Sequence, residues 1–406
     1  MQATITKLLP DAQKFLCDLI RYESTPGNEH AAMLFCEKEF AKLGVVVEKV
    51  PLSDTIKNDP DYSTPVPDIK YDGRFNLRLV RKGLGGGRKL LFNAHTDVVP
   101  ASEGQPDAYR PRVENGVVFG RGACDDKGQV ALLYLFFKAL DAGKVQLAGD
   151  IVAHLVVEEE NGGNGSLAMA RTGEKADGCV VLEASEGKLF TSIRGAVWFQ
   201  IVFHGKAGHS GQAGQTKSAL LIARDAIALL EKYHVELLAA SRGLPLFDPY
   251  PNPMPITFGK LNAGNWPAAA PSRAVLEGVL GLLPNKTKEQ VIAGMRQALE
   301  PLGTSNFELS FMYRHDSSVV DPKHELPQTL LAAAGKAGHP LTVSAMTASC
   351  DAWFYNNQLG IPTVVYGPGT LKVAHSKDEQ IAMQDIANAA EVLIAFTKDY
   401  CNESTR

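Results

Sequence analysis

The chain has 406 residues, of which 45% are hydrophobic and 21% charged, and its 41 Lys+Arg against 45 Asp+Glu give a formal net charge of -4. This is an ordinary globular composition with apolar mass for a large core, which excludes a mostly disordered chain. The charge balance gives no basic footprint for nucleic acid and no acidic tail. At about 150 residues per domain, two to three domains are expected. The longest purely apolar run, Val130 to Phe137, falls well short of the roughly 18 residues a membrane-spanning helix needs. Lys and Asp interrupt the apolar stretches near Met1, so no secretory leader is expected. The six cysteines are scattered without a CxxC, which suits reduced thiols of a cytoplasmic protein better than a disulfide framework.

In chain order, residues 10–43 carry helical periodicity, through Phe15, Leu16, Leu19 and Ile20 and then Ala31, Met33, Leu34 and Phe40, with a stop at Gly44. Residues 51–72, rich in Pro, Asp and Ser, read as a surface loop, and Gly83 to Gly87 as a tight connection without the GK[ST] of a phosphate loop. Short apolar strands at Lys89–Ala94, Asp150–Val157 and Cys179–Leu182 then alternate with helices at Gln129–Leu140 and from Gly165 to Arg171. Continuous apolar strands separated by helices predict a parallel sheet covered on both faces. After Gly187 the order becomes strand Val197–Phe203, helix Ser218–Tyr233, strands Ile256–Leu261 and Ala274–Leu283, helix Lys288–Leu299 and strand Phe307–Tyr313. This β-α-β-β-α-β order is ferredoxin-like. Helix Thr329–Ala337, strand Thr363–Tyr366 and helix Gln384–Lys398 return to the first pattern. The predicted fold is therefore α/β: a mostly parallel-sheet catalytic domain over 1–191 and 315–406, with an inserted ferredoxin-like α+β lid or dimerisation domain over 192–314.

Ligands bind outside the carboxyl ends of strands in an open parallel sheet. The apolar strands are followed in turn by His95-Thr96-Asp97, by Glu158-Glu159-Glu160, by Glu183, and by Gly367-Pro368-Gly369 leading to His375, Asp378 and Glu379. The glycine-bounded loop Gly120-Arg121-Gly122-Ala123-Cys124-Asp125-Asp126-Lys127-Gly128 opens a helix on the same edge. Carboxylates gathered on one rim repel one another, increasingly so as water is excluded, and divalent cations remove that cost. Histidine with carboxylate and no thiolate suits zinc, or a similar hydrolytic metal such as cobalt or manganese. Cys124 and Cys350, each preceding an Asp, are minor candidates, because a free Cys is usually a buried hydrophobe.

Read together and in order, four segments carry a resemblance: His95-Thr96-Asp97-Val98-Val99-Pro100, Gly120 to Gly128, Glu158-Glu159-Glu160-Asn161-Gly162-Gly163-Asn164-Gly165, and Gly205-Lys206-Ala207-Gly208-His209-Ser210. They resemble the HxDxVP, GRGxxDDKG, (D/E)EExGxxG and GxxxHS signatures of the M20-type dinuclear zinc amidohydrolases and metallopeptidases. That family includes acetylornithine deacetylase, succinyl-diaminopimelate desuccinylase, aminoacylase and glutamate carboxypeptidase, and an inserted lid is also its layout.

The resemblance implies the following roles. Asp125 bridges two zinc ions, His95 and Glu183 complete the first site, and Glu160 and His375 the second. Glu183-Ala184-Ser185 stands where the family usually has Glu-Pro-Thr or Asp. Asp97 orients the far nitrogen of His95, and the Asp125–Asp126 peptide is cis. Glu159 is the general base, since adjacent side chains of an extended segment diverge and leave it free when Glu160 ligates. His209 reaches the active site of a second subunit and stabilises an oxyanion, which implies a homodimer through the lid, and Asn265 contacts substrate. The family's lid-strand Asp-Ile-Arg is replaced by Val279-Leu280-Gly281, with Arg314 as the candidate substitute. Trp266-Pro267 and Ala348-Ser349-Cys350-Asp351-Ala352 lean toward acetylornithine deacetylase.

The expected activity is amide hydrolysis of an N-acyl amino acid or dipeptide. The alternatives are a succinyl-diaminopimelate desuccinylase or a metallo-di/carboxypeptidase and, in a different class, a non-catalytic metal-dependent binding protein. A nucleotide-binding oxidoreductase is disfavoured because Gly83 to Gly87 opens no helix, and a serine hydrolase because Gly208-His209-Ser210-Gly211-Gln212 breaks GxSxG at its last position.

Overall fold

A computed structural model describes residues 1–212 and 214–403. Nine strands form the central sheet, in the order Val46–Pro51, Phe75–Arg81, Ile151–Val156, Leu90–His95, Gly178–Val181, Thr363–Val365, Lys188–Ile193 and Ser318–Val319, with Thr342–Met346 also on Lys188–Ile193. The four middle strands, Ile151–Val156 to Thr363–Val365, run parallel. Antiparallel pairings attach the strands on either side of them. Alternate residues feed two cores: Leu90, Phe92 and Ala94 face helices Gln2–Ile20, Lys127–Ala142 and Met383–Cys401, while Leu91 faces the layer of Leu167, Trp353 and Tyr355. Burial on both faces is why these strands read as unbroken apolar runs.

The second sheet has four antiparallel strands in the order Ile256–Ala263, Arg273–Leu282, Gly195–His204 and Phe307–His315. Val197, Phe199, Ile201 and Phe203 point to a separate core with helices Ala219–Ala239 and Lys288–Leu299. Thr287 caps the second of these helices in a capping box with Gln290. The connectivity is the ferredoxin-like one.

The single periodic stretch over 10–43 resolves into two helices, Gln2–Ile20 and His30–Phe40. Thr25-Pro26-Gly27 breaks it, with Gly27 at φ +90°. The segment 51–72 is less a surface loop than a strap. Ser63 and Tyr71 are buried, Thr64 N–H donates to the Met312 carbonyl of a lid strand (2.7 Å), and Ser63 N–H donates to Asn164 Oδ1 (2.9 Å). The strands at Val46–Pro51, Phe75–Arg81, Lys188–Ile193, Ser318–Val319 and Thr342–Met346 complete the sheet beyond those predicted. No helix among the described residues is long and apolar enough to cross a membrane.

Candidate metal centre

The parallel order places Ile151–Val156, Leu90–His95, Gly178–Val181 and Thr363–Val365 side by side, so their carboxyl ends share one edge. His95 ends its strand, Glu159 and Glu160 stand in the turn after Val156, and Glu183 follows Val181. The chain after Val365 delivers His375, and Asp125 lies just before helix Lys127–Ala142. Gly162 and Gly163, at φ +96° and +77°, reverse the chain behind Glu160 in a conformation other residues rarely adopt.

Two ligand-like sets result, His95–Asp125–Glu183 and Asp125–Glu160–His375, with the donor atoms of each within 4.8 Å of one another. Asp125 belongs to both: Oδ1 lies 3.1 Å from His95 Nε2 and Oδ2 lies 3.2 Å from His375 Nε2. His375 Nε2 is 3.1 Å from Glu160 Oε1, and His95 Nε2 is 3.8 Å from Glu183 Oε1. The Asp125–Asp126 peptide is cis.

Burial raises the Glu159 carboxyl well above the usual range, with His95 opposing and the charges of Asp351, Glu183 and Glu160 reinforcing. Burial, together with the charge of Asp125, likewise raises Glu183, and it pushes Glu160 up to about 7. Burial acts on Asp125 too, but its hydrogen bonds with His375 and His95 outweigh it and hold the carboxyl below the ordinary range. Hydrogen bonds with Asp125 and Glu160 push His375 up to about 10. So many carboxylates in one buried cluster demand positive charge, the electrostatic signature of a cation site. The donor chemistry fits a hydrolytic divalent metal, because both sets are imidazole and carboxylate. The Cys124 and Cys350 thiols stand outside both sets, and burial pushes both up.

Surrounding groups hold these side chains. The carboxylate of Asp97 accepts the N–H of Glu159 (3.2 Å) and of Glu160 (3.0 Å). His95 Nδ1 lies 3.0 Å from the Asp97 carbonyl oxygen and 3.4 Å from its Oδ1, so one residue orients the imidazole and the Glu159–Glu160 turn together. Sequence reasoning left Glu379 and Arg121 without roles. Buried Arg121 pairs with Glu379, whose Oε1 accepts the N–H groups of Cys124 and Asp125 (3.3 Å each) and fixes the loop that carries Asp125. Both residues stood within segments singled out for chemistry, but a partnership spanning 258 positions leaves no local signal. Glu158 is buried at φ +62°, pairs with Arg74, and accepts hydrogen bonds from Tyr71 (2.7 Å) and Asn164 (2.9 Å).

A cavity of roughly 230 Å³ opens over the cluster, where Asp125, Glu159, Glu160, Glu183 and His375 meet Met346, Ala348, Ser349, Leu371 and Ala374. His209, Asn265 and Arg314 do not line it. Exposed His209 pairs with Ala269 in a short ribbon at the lid, and Asn265 is exposed in the turn preceding that residue. Arg314 donates from Nη2 to the Pro60 carbonyl (2.8 Å), which ties lid to strap.

The fold and these two sets have the donor chemistry of a metal-dependent hydrolase. The sequence profile of peptidase family M20/M25/M40 matches residues 91–399, and the chain belongs to that family. It is 26% identical over 350 residues to N-formyl-4-amino-5-aminomethyl-2-methylpyrimidine deformylase of Bacillus subtilis (strain 168), covering 77% of this chain and 79% of that protein. It is 27% identical over 337 residues to acetylornithine deacetylase of Myxococcus xanthus, covering 81% and 84%. Among solved structures, the di-peptidase Dug1p of Saccharomyces cerevisiae superposes with a TM-score of 0.81 at 14% identity, over 99% of this chain and 98% of that one, a likeness of fold.

Proposed function

We propose that the protein is a two-zinc hydrolase that removes the acyl group from an N-acylated amino acid, most like an acetylornithine deacetylase. The observation that carries this reading is Asp125, whose two carboxylate oxygens each face a different histidine. His95 and Glu183 would hold one ion, Glu160 and His375 the other, and Asp125 both; cobalt or manganese would suit the same donors. Bound there, the metal pair supplies Lewis acidity that acidifies water and polarises a carbonyl. Glu159, adjacent to Glu160 and lining the cavity, takes the proton of the attacking water and returns it to the leaving amine. The Asp97 carboxylate accepts its backbone N–H and keeps it in place.

His209 and Asn265, which do not line the chain's own cavity, serve a second subunit in this reading. The lid edge strand Ile256–Ala263, largely exposed and unpaired on one side among the described residues, supports a homodimer joined there. The scattered, unpaired cysteines suit a cytoplasmic setting.

The test is Glu159→Ala, assayed against N-acetyl, N-succinyl and N-formyl substrates and dipeptides. Turnover should fall by about 10²–10⁴-fold while metal content stays at that of the wild type. Equal loss of metal and activity refutes the base assignment. Silence of metal-loaded wild type across the panel supports a binding protein instead.

A further inference from the structure

The chain that follows strand Thr363–Val365 has two sides. Leu371, Ala374 and His375 line the metal cavity, while Tyr366, Gly367, Pro368 and Gly369 line a second cavity of roughly 230 Å³ that shares no lining residue with the first. Another cavity of roughly 520 Å³ adjoins the second, and Glu186, Gly369 and Asp385 belong to both. Together they reach the size of a small-molecule site, usually about 300–1,000 Å³.

Tyr366 forms the floor of this cleft. It is only 4% exposed and belongs to the main core, yet its hydroxyl has no hydrogen-bond partner among the described residues. The hydroxyl is not sealed inside the protein either, so its free side is the cavity that Tyr366 lines. Burial raises the hydroxyl and keeps it protonated, and the one charge acting on it is that of Asp385. A shielded hydroxyl without a partner is unfavourable until something meets it. Asp385, exposed in the first turn of helix Met383–Cys401, lines the same cavity, and neither a cation nor a hydrogen-bond donor acts on it among the described residues. The other carboxylate at the rim, Glu186, is already taken by Lys372 (3.0 Å) and Thr370. No Lys or Arg lines the cavity over Tyr366, and Pro340, Leu341, Pro368 and Ala389 give it apolar walls. Glu186, His339 and Asp385 do not converge as a set of three donors, so the cleft suits an organic cation rather than a metal ion. An ammonium group is a compact cation with several N–H donors, which can meet the Asp385 carboxylate and the Tyr366 oxygen at once while an alkyl part covers the apolar wall.

We propose that this cleft is a binding site for a small alkylammonium compound, held between the Asp385 carboxylate and the Tyr366 hydroxyl. Thr370 lines the adjoining cavity and Leu371 the metal cavity, so the ligand binds beside the substrate rather than in its place. The measurement is an NMR titration of the metal-loaded protein with n-butylammonium and with n-butanol, its uncharged match. The ammonium should bind about 5- to 10-fold more tightly, between the effect of an exposed ion pair and that of a shielded charge-assisted hydrogen bond. Asp385→Asn should bring the two probes to equal affinity, and Tyr366→Phe should weaken the ammonium by about threefold. Crystals soaked with the ammonium should show it between these two side chains. Equal affinity of the two probes for the wild type, an ammonium affinity unchanged by Asp385→Asn, or only water between the two side chains in soaked crystals overturns the proposal. No turnover is measured, so the outcome is separate from that of the hydrolase reading.

Discussion

Glu158, Glu159 and Glu160 are consecutive and chemically identical, yet each meets a different environment. Glu158 turns into the protein onto Arg74, Glu159 faces the cavity, and Glu160 faces His375. The Asp97 carboxylate, receiving two successive N–H groups of this turn, separates the last two roles. Asp97→Ala should therefore act on the neighbourhoods of both ligand sets at once. Metal affinity, measured by competition with a chelator, should fall by about 10–100-fold, the usual loss when a group orienting a ligand is removed. An affinity equal to that of the wild type would show that the turn holds itself.

A pH effect belongs to this scale too. Burial alone would raise the Glu174 carboxyl, but the His154 ring beside it (Nε2 3.7 Å away) and hydrogen bonds from Arg78 and Lys89 hold it below its usual value. A carboxyl lowered in the folded state contributes stability above its unfolded pKa of about 4.5 and loses it as pH falls through the folded value. Glu174→Gln should cost about 1–3 kcal/mol at pH 7 by urea denaturation. The gap to wild type should narrow as pH drops below about 4. A gap independent of pH would remove the ionic explanation.

Among the elements, the strap and the turn after Val156 act together. Asn164 reads Ser63 from both sides, with Oδ1 accepting its N–H and Nδ2 donating to its carbonyl (3.0 Å), while Asn161 Oδ1 accepts the Val66 N–H (2.8 Å). Arg74, nearly buried, holds Glu29 and Glu158 together. Arg74→Ala leaves two shielded carboxylates uncompensated and should cost about 3–5 kcal/mol. Equilibrium unfolding checks this, and a change under 1 kcal/mol would mean that water replaces the guanidinium without loss. Much of this level was legible in the sequence. The apolar strands and the residues after them pointed to the rim because parallel strands buried on both faces write an unbroken pattern. The five strands flanking them were not legible. Val46–Pro51 is largely exposed, and Ser318–Val319 is two residues long. The strap's order comes from Asn161, Asn164 and Met312, about 95 to 250 positions away, so composition alone could only read a loop.

At the scale of the molecule, a sheet edge gathers charge, and His209 and Asn265 stand on the lid, outside the lining of the cavity at that edge. If His209 works in a partner's site, two inactive variants should restore each other. Mixing His209→Ala with Glu159→Ala homodimers and allowing exchange should recover activity, because one site of each mixed dimer then has both groups. No recovery, despite mixed dimers seen by native mass spectrometry, would place His209 outside the reaction.

The most direct measurement is an anomalous difference map from crystals of the zinc-loaded protein. The account predicts two peaks about 3.5–4 Å apart, one beside His95 and Glu183, the other beside Glu160 and His375, with Asp125 between them. A single peak, or peaks away from Asp125, would contradict it.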